Sequence, residues 1–208
     1  MFRSGKGCSV YIDGSIGAGK STALRYLQEH GYHVSLEPVN VWMPYLDELY
    51  KEGGKSAFEF QVKVWYDRCL TRKTAGQGEI LIHERSPAFQ KNAFLGTLHE
   101  SGLITERQRN TLRSMYETID QQDNINDEMK AYIYLRCSPE TCRERQKARS
   151  RNSEESIEMD YLIKLHDQHE KAYMECVMAR EGPVLCIDVN DISPEETAQK
   201  IIEFINKL

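Results

Sequence analysis

The six cysteines (Cys8, Cys69, Cys137, Cys142, Cys176 and Cys186) form no C-x-x-C pair, and no signal-like segment precedes the first apolar run at residues 8–12. These absences exclude the common zinc and dithiol motifs and predict free thiols in a reducing compartment. No stretch approaches the roughly 18 consecutive apolar residues of a membrane span, and no transit-peptide composition is present. The expectation is a cytoplasmic protein with no membrane partner. Basic charge is also in deficit, with 27 Lys and Arg against 32 Asp and Glu and a net charge of −5. That balance argues against nucleic acid as a partner, because phosphate-backbone affinity comes from clustered cations. Internal repeats, low-complexity tracts and linkers are lacking too, so residues 1–208 are read as a single domain, long enough to bury a core without staples.

What is there alternates in period. Short β-rich runs at 8–13, 32–37, 79–84, 131–136 and 184–188 are separated by segments of helical period at 21–30, 56–73, 87–99, 105–119, 139–148, 159–178 and 194–208. Five strands alternating with helices predict an α/β fold built on a parallel sheet. Ser138 before Pro139 and Ser193 before Pro194 read as helix N-caps. The polar stretches 121–127 and 150–156 read as loops.

Between the first strand and the first helix lies Gly14-Ser15-Ile16-Gly17-Ala18-Gly19-Lys20-Ser21-Thr22, which satisfies G-x-x-x-x-G-K-[ST] in the strand–turn–helix context the motif requires. Backbone N–H groups of such a turn surround phosphate oxygens, helped by the positive end of the helix, and Lys20 reaches the β and γ oxygens. The Ser21 hydroxyl is a Mg²⁺ ligand. The guanine and switch patterns of a regulatory GTPase, N-K-x-D and D-x-x-G, do not occur, which leaves ATP as the nucleotide.

The second and third strands end in Leu36-Glu37-Pro38-Val39 and His83-Glu84-Arg85-Ser86. Both carboxylates therefore fall at the C-terminal edge of the sheet, where ligands of parallel folds collect. Either acid, ionised beside arginine, can accept a proton, while Arg85 is placed to stabilise a transferring phosphoryl group. The plainer reading of Glu84–Arg85 is a surface ion pair. Arg143, Arg145, Arg149 and Arg151 form a local basic patch that reads either as a solvated helix face or as a polyphosphate site.

Glu37-Pro-Val, Phe60-Gln61, Glu84-Arg-Ser, the arginine segment, Ser138-Pro-Glu-Thr-Cys142 and Asp188-Val189-Asn190, in this order, resemble the deoxynucleoside kinase family from Val10 to about Ile192. The resemblance implies a P-loop kinase fold, a five-stranded parallel sheet flanked by helices, with an arginine-rich lid at about 143–156. It implies transfer of the ATP γ-phosphoryl group to the 5′-hydroxyl of a deoxynucleoside, with Mg²⁺, in a homodimer. On this resemblance Glu37, Glu84 and Arg85 are catalytic, with the base left open between the two acids, and Glu84 joins Ser21 as a metal ligand. Arg145, Arg149 and Arg151 close over ATP, and Asp188, Val189 and Asn190 lie beside its adenine.

The resemblance further implies that Gln61 reads the base edge, Phe60 and Phe94 contact its face, and Val39, Trp42 and Leu49 line the pocket. Tyr50 and Glu154 hold the sugar 3′-hydroxyl. Read without it, aromatics at helical spacing are core, and Glu154 belongs to a solvated acidic run. Gln90 stands where deoxycytidine and deoxyguanosine kinases carry an acid, and Arg68 lacks the acidic partner that normally orients it. Thymidine, deoxycytidine or a broad set therefore remain, with pyrimidines including thymidine preferred. The chain begins about a dozen residues before the glycine-rich turn, a compactness that suits a viral or invertebrate enzyme. Two alternatives are a nucleoside monophosphate or other small-molecule kinase, which needs extra basic residues for its acceptor, and a non-catalytic ATP-binding regulator.

Overall fold

A computed structural model of the chain describes residues 7–71, 75–125, 129–149, 154, 156–179 and 182–208. Five parallel strands, β1 (Cys8–Asp13), β2 (His33–Ser35), β3 (Ile80–Glu84), β4 (Met129–Arg136) and β5 (Val184–Asp188), form one sheet in the order β2-β3-β1-β4-β5. The central strand β1 is buried at every position, which is why Cys8-Ser-Val-Tyr-Ile-Asp13 reads as a continuous run rather than an alternating one. Its neighbours β3 and β4 belong to connections running to opposite sides, so the crevice for ligands opens at the carboxyl ends of these three strands.

Helix α1 (Lys20–Glu29) buries Ala23, Leu24 and Leu27 against the sheet. Helix α2 (Val39–Lys51) was not predicted; Pro38 stands at its N-cap position and Pro44 is carried inside it. Trp42, Leu46 and Leu49, at a spacing of four and three, supply the apolar stripe that holds it. Helix α3 (Ala57–Thr71) packs Phe60 and Val64 into the same cluster. Ser86 caps α4 (Pro87–Phe89), accepting from the Phe89 N–H at 3.1 Å. A π-helical turn at Gln90–Phe94 then leads into α5 (Leu95–Glu100), with the Leu95 N–H donating to the Gln90 carbonyl.

Helix α6 (Glu106–Ile125) runs through residues 121–125 of the predicted 121–127 loop because a helical ladder, once begun, propagates cooperatively, and residues 126–127 lie outside the described residues. Helix α7 (Pro139–Arg149) starts at Ser138, whose hydroxyl accepts from the Thr141 N–H at 3.2 Å. Helices α8 (Met159–Ala179) and α9 (Pro194–Ile205) complete the chain, the latter opened by a capping box between Ser193 and Glu196. The second predicted loop, 150–156, falls largely outside the described residues. Among the described residues no helix is long and apolar enough to cross a membrane, and none of the six cysteines is in a disulfide.

The glycine-rich turn is fixed by sterics as well as by hydrogen bonds. Gly14 (φ 151°) and Gly17 (φ 90°) adopt backbone conformations closed to most side chains, and a Cβ on Gly17 would stand 2.6 Å from the Cys142 carbonyl oxygen of α7. Gly17→Ala is therefore expected to cost about 2 kcal/mol of stability. A melting temperature several degrees below the wild type, with a diminished upward shift on adding ATP, is the expected result of thermal denaturation.

Candidate active site

Four elements converge at the carboxyl edge of the sheet. Asp13 ends β1, and its fully buried Oδ1 accepts from the Ser86 N–H at 3.0 Å, holding the turn after β3 against the start of the glycine-rich loop. Burial pushes the Asp13 carboxyl up to about 6, only partly opposed by Arg85 and the Ser86 N–H. Asp13 was not foreseen as a site residue; an acid closing an apolar strand was the available signal.

Lys20 is buried, and its ammonium donates to the carbonyls of Gly14 and Ser15, each at 2.9 Å. Burial first and the nearby Arg85 second lower its pKa to about 8, so it stays cationic at neutral pH. Ser21 donates to Glu84 Oε1 at 2.6 Å, and the other Glu84 oxygen accepts from the Glu37 N–H at 3.1 Å. Glu84 is thus no surface ion pair with Arg85: successive side chains point apart, and Glu84 turns to the loop and to the segment after β2. The contact also fixes where Glu37 begins.

Arg85 is the non-glycine residue with positive φ (68°) among the described residues, a conformation worth about 1–3 kcal/mol of strain. Its Nε donates to Glu37 Oε1 at 3.0 Å, its Nη1 to the Gly14 carbonyl at 3.3 Å, and its guanidinium lies 4.2 Å from the centre of the Phe94 ring. Burial opposes ionisation of Glu37, yet the guanidinium groups of Arg85 and Arg68, with Lys20, outweigh it and hold the carboxyl below its usual range. Glu37 is therefore ionised at neutral pH.

A cleft of about 750 Å³ opens from this cluster. It is lined by Ile16, Gly17, Lys20 and Ser21 of the glycine-rich turn and α1, and by Glu37, Glu84 and Arg85. Val39, Trp42, Leu49, Tyr50, Phe60, Gln61, Gln90, Phe94, Arg149 and Glu154 line it as well. Gln90 Nε2 donates to Gln61 Oε1 at 2.8 Å, and both amides are buried. The π-helical turn brings Gln90 and Phe94 to the same wall. Tyr50 meets Tyr161 edge to face at 5.9 Å, and burial, with Tyr161 and Glu154 nearby, keeps the Tyr50 phenol protonated. Glu154 pairs with Arg149. Tyr161 and Leu46 also line the cleft and were missed, since a helical tyrosine or leucine carries the same signal as core.

Three expectations fare differently. Arg68 does not line this cleft; with Gln rather than an acid at position 90, its guanidinium turns to Glu37 Oε1 at 2.9 Å and to the Arg85 carbonyl at 3.0 Å. Arg145 and Arg149 diverge despite their i,i+4 spacing: Arg145 donates to the Val189 carbonyl at 2.6 Å and reaches Asn190 O and Cys137 Sγ, tying α7 to the loop after β5. In that loop Asp188 Oδ1 accepts from the Asn190 N–H, and Asn190 Oδ1 accepts from the Ser138 N–H. Thr22 is exposed on α1, and Arg151 lies outside the described residues.

The raised Asp13 carboxyl gives a pH signature. A folded-state pKa above the unfolded value means that stability is fully present below about 3.8 and is lost as pH rises through about 6. Asp13→Asn keeps the Oδ1 acceptor and removes the buried charge. The unfolding free energy of the variant relative to wild type, from urea titrations, is expected to rise by about 2 kcal/mol between pH 4 and pH 7.

A family model described as deoxynucleoside kinase matches residues 10–208. A probable deoxycytidine kinase of Fowlpox virus (strain NVSL) is 35% identical over 167 residues, covering 78% of this chain and 70% of the relative. The deoxycytidine kinase of Homo sapiens is 27% identical over 237 aligned positions, covering 96% of this chain and 91% of the relative. Among solved structures, a deoxyadenosine kinase from M. mycoides with bound dCTP superposes with a TM-score of 0.78 at 25% identity, over 96% of this chain and 100% of the other. With the glycine-rich loop, the strand order and the buried carboxylate–arginine cluster, these similarities establish that the chain belongs to the deoxynucleoside kinase family of ATP-dependent phosphotransferases.

Proposed function

We propose that the protein transfers the γ-phosphoryl group of ATP to the 5′-hydroxyl of pyrimidine deoxynucleosides, thymidine among them. The observation that carries this reading is that one cleft is lined together by residues of the glycine-rich loop, by Glu37, Glu84 and Arg85, and by the Gln61–Gln90 pair. Its mixed apolar and polar lining suits a small ligand held by a few convergent polar groups. Both guanidiniums bond Glu37 Oε1, so Oε2 is the oxygen available to a substrate hydroxyl. Glu37 then orients the 5′-hydroxyl and receives its proton, while Arg85 and Lys20 face the charge spreading over the transferring phosphoryl oxygens. The glycine-rich loop, residues 14–22, cradles the donor phosphates, with Arg149 and Arg151 closing a lid over them and Arg145 and residues 188–190 flanking adenine.

Ser21 Oγ and Glu84 Oε1, 2.6 Å apart, are hard oxygen donors fitting Mg²⁺, and no group of three or more His, Cys, Asp or Glu that could hold a metal occurs among the described residues. That set suits an ion held by one carboxylate, one hydroxyl, phosphate oxygens and water. Bound there, Mg²⁺ would neutralise phosphate charge. Because Glu84 is committed to Ser21 and to the Glu37 N–H, Glu37 is the better proton acceptor.

At the acceptor end, two neutral amides face the base. No carboxylate stands at position 90 to demand an amino group, and an amide pair turned over as a unit meets either a 4-amino or a 4-oxo pyrimidine. The sugar end presents Tyr50 and Glu154, and Glu154 is already paired with Arg149, so an acceptor phosphate is poorly served there and the monophosphate-kinase alternative is disfavoured. The family resemblance supports a homodimer, for which light scattering should give twice the chain mass.

A screen with Mg-ATP should show phosphorylation of thymidine and deoxycytidine but not of dTMP; turnover of dTMP alone would transfer the reading to a monophosphate kinase. Glu37→Gln and Arg85→Ala should each lower kcat by about 10² to 10⁴ with the fold intact by circular dichroism. Near-normal turnover in either would remove its assigned role. Chelation of divalent ions should abolish transfer and Mg²⁺ restore it.

A further inference from the structure

The guanidinium of Arg68 bridges Glu37 Oε1 (2.9 Å) and the backbone carbonyl of Arg85 (3.0 Å), and only about a sixth of its side chain is exposed. Its obvious local partner is taken: the neighbouring Asp67 accepts from Trp42 Nε1 at 2.7 Å and from Lys63 Nζ at 2.5 Å. Across the cleft Gln90 is engaged with Gln61 and brings no charge. Arg68 is thereby left to the one carboxylate within reach. Its second bond lands on the carbonyl of Arg85, the residue held at φ 68°, so one side chain braces both the acid and the strained turn that aims the catalytic arginine.

We propose that Arg68 is a positioning residue for phosphoryl transfer, a clamp that fixes the Glu37 carboxylate and the Arg85 turn rather than a reader of the base; this rests on the kinase reading given above. Gln61 and Arg68 are seven residues apart, two turns on one stripe of α3 and roughly 10 Å along its axis. The helix that reads the base is therefore the helix that holds the acid, and a nucleoside seated against Gln61 meets a Glu37 whose Oε1 is already held by two guanidiniums. The groups facing Glu37 are Arg85 from the end of β3, Arg68 from α3, Lys20 from α1, Tyr116 from α6, and Glu84, which accepts the Glu37 N–H.

The test compares wild type, Arg68→Met and Arg68→Lys in kcat and KM for thymidine and for deoxycytidine. Alongside it, crystal structures of the nucleotide-free proteins follow the Glu37 carboxylate and the Arg85 backbone. For Arg68→Met the expected result is a kcat about tenfold to a hundredfold lower with both nucleosides. KM should stay within about threefold, and the Glu37 carboxylate and the Arg85 turn should leave their wild-type positions. Arg68→Lys should recover part of kcat and of the Glu37 position, and it carries the comparison should the Met variant not fold. A loss confined to KM and differing between the two bases would make Arg68 a base reader, and an unmoved Glu37 and Arg85 would make it a bystander; either overturns the clamp. Because the structural arm needs no turnover, a wild type inactive on every deoxynucleoside whose Met variant still shows the displacement would remove the kinase reading and leave the clamp standing.

Discussion

One oxygen of one buried carboxylate, Glu37 Oε1, accepts from Arg85 at 3.0 Å and from Arg68 at 2.9 Å. Through those two bonds the segment after β2 is joined to the turn after β3 and to the face of α3. Through the Glu37 N–H it is joined to Glu84, and through Glu84 to Ser21 at the mouth of the glycine-rich loop. Taking a carboxylate out of water costs several kcal/mol unless charged donors replace the lost hydration. Here two guanidiniums supply them, and the same donors keep the group ionised. Electrostatic satisfaction of one acid thus ties together the segments that line the cleft.

The strain at Arg85 is held by that arrangement. A non-glycine residue at φ 68° persists only where its surroundings over-determine it. The Arg85 N–H donates to the Ile12 carbonyl at 2.9 Å, its carbonyl accepts from Arg68, and the following N–H donates to Asp13. The reversed backbone swings the Arg85 side chain toward Gly14 and Glu37 and away from Glu84, which is how adjacent residues of one motif serve opposite walls of the cleft.

The parts of this site that were legible in the sequence are those set by local covalent constraints. A glycine pattern ending in Gly-Lys-Ser between a strand and a helix allows few backbone paths, and acids at strand ends fall at the sheet edge whatever their rotamers. What could not be read depends on through-space competition. The direction of Arg68 is decided by what stands at positions 37, 67 and 90, and the divergence of Arg145 from Arg149 by the carbonyl of Val189, far along the chain. Helix α2 was hidden because two prolines outweigh, in a local reading, an apolar stripe whose partner surface comes from α3. Tyr161 was hidden because a cleft-lining tyrosine and a core tyrosine have the same periodicity.

In the proposed reading one cleft seats donor and acceptor on either side of Glu37, and a crystal structure of the protein with ADP and thymidine checks this. Expected are the diphosphate in the loop at residues 14–22, the base edge on Gln61 and Gln90, and the 5′-oxygen within about 3 Å of Glu37 Oε2. Thymidine bound with its 5′-oxygen turned away from Glu37, or seated outside the Gln61–Gln90 wall, would contradict it.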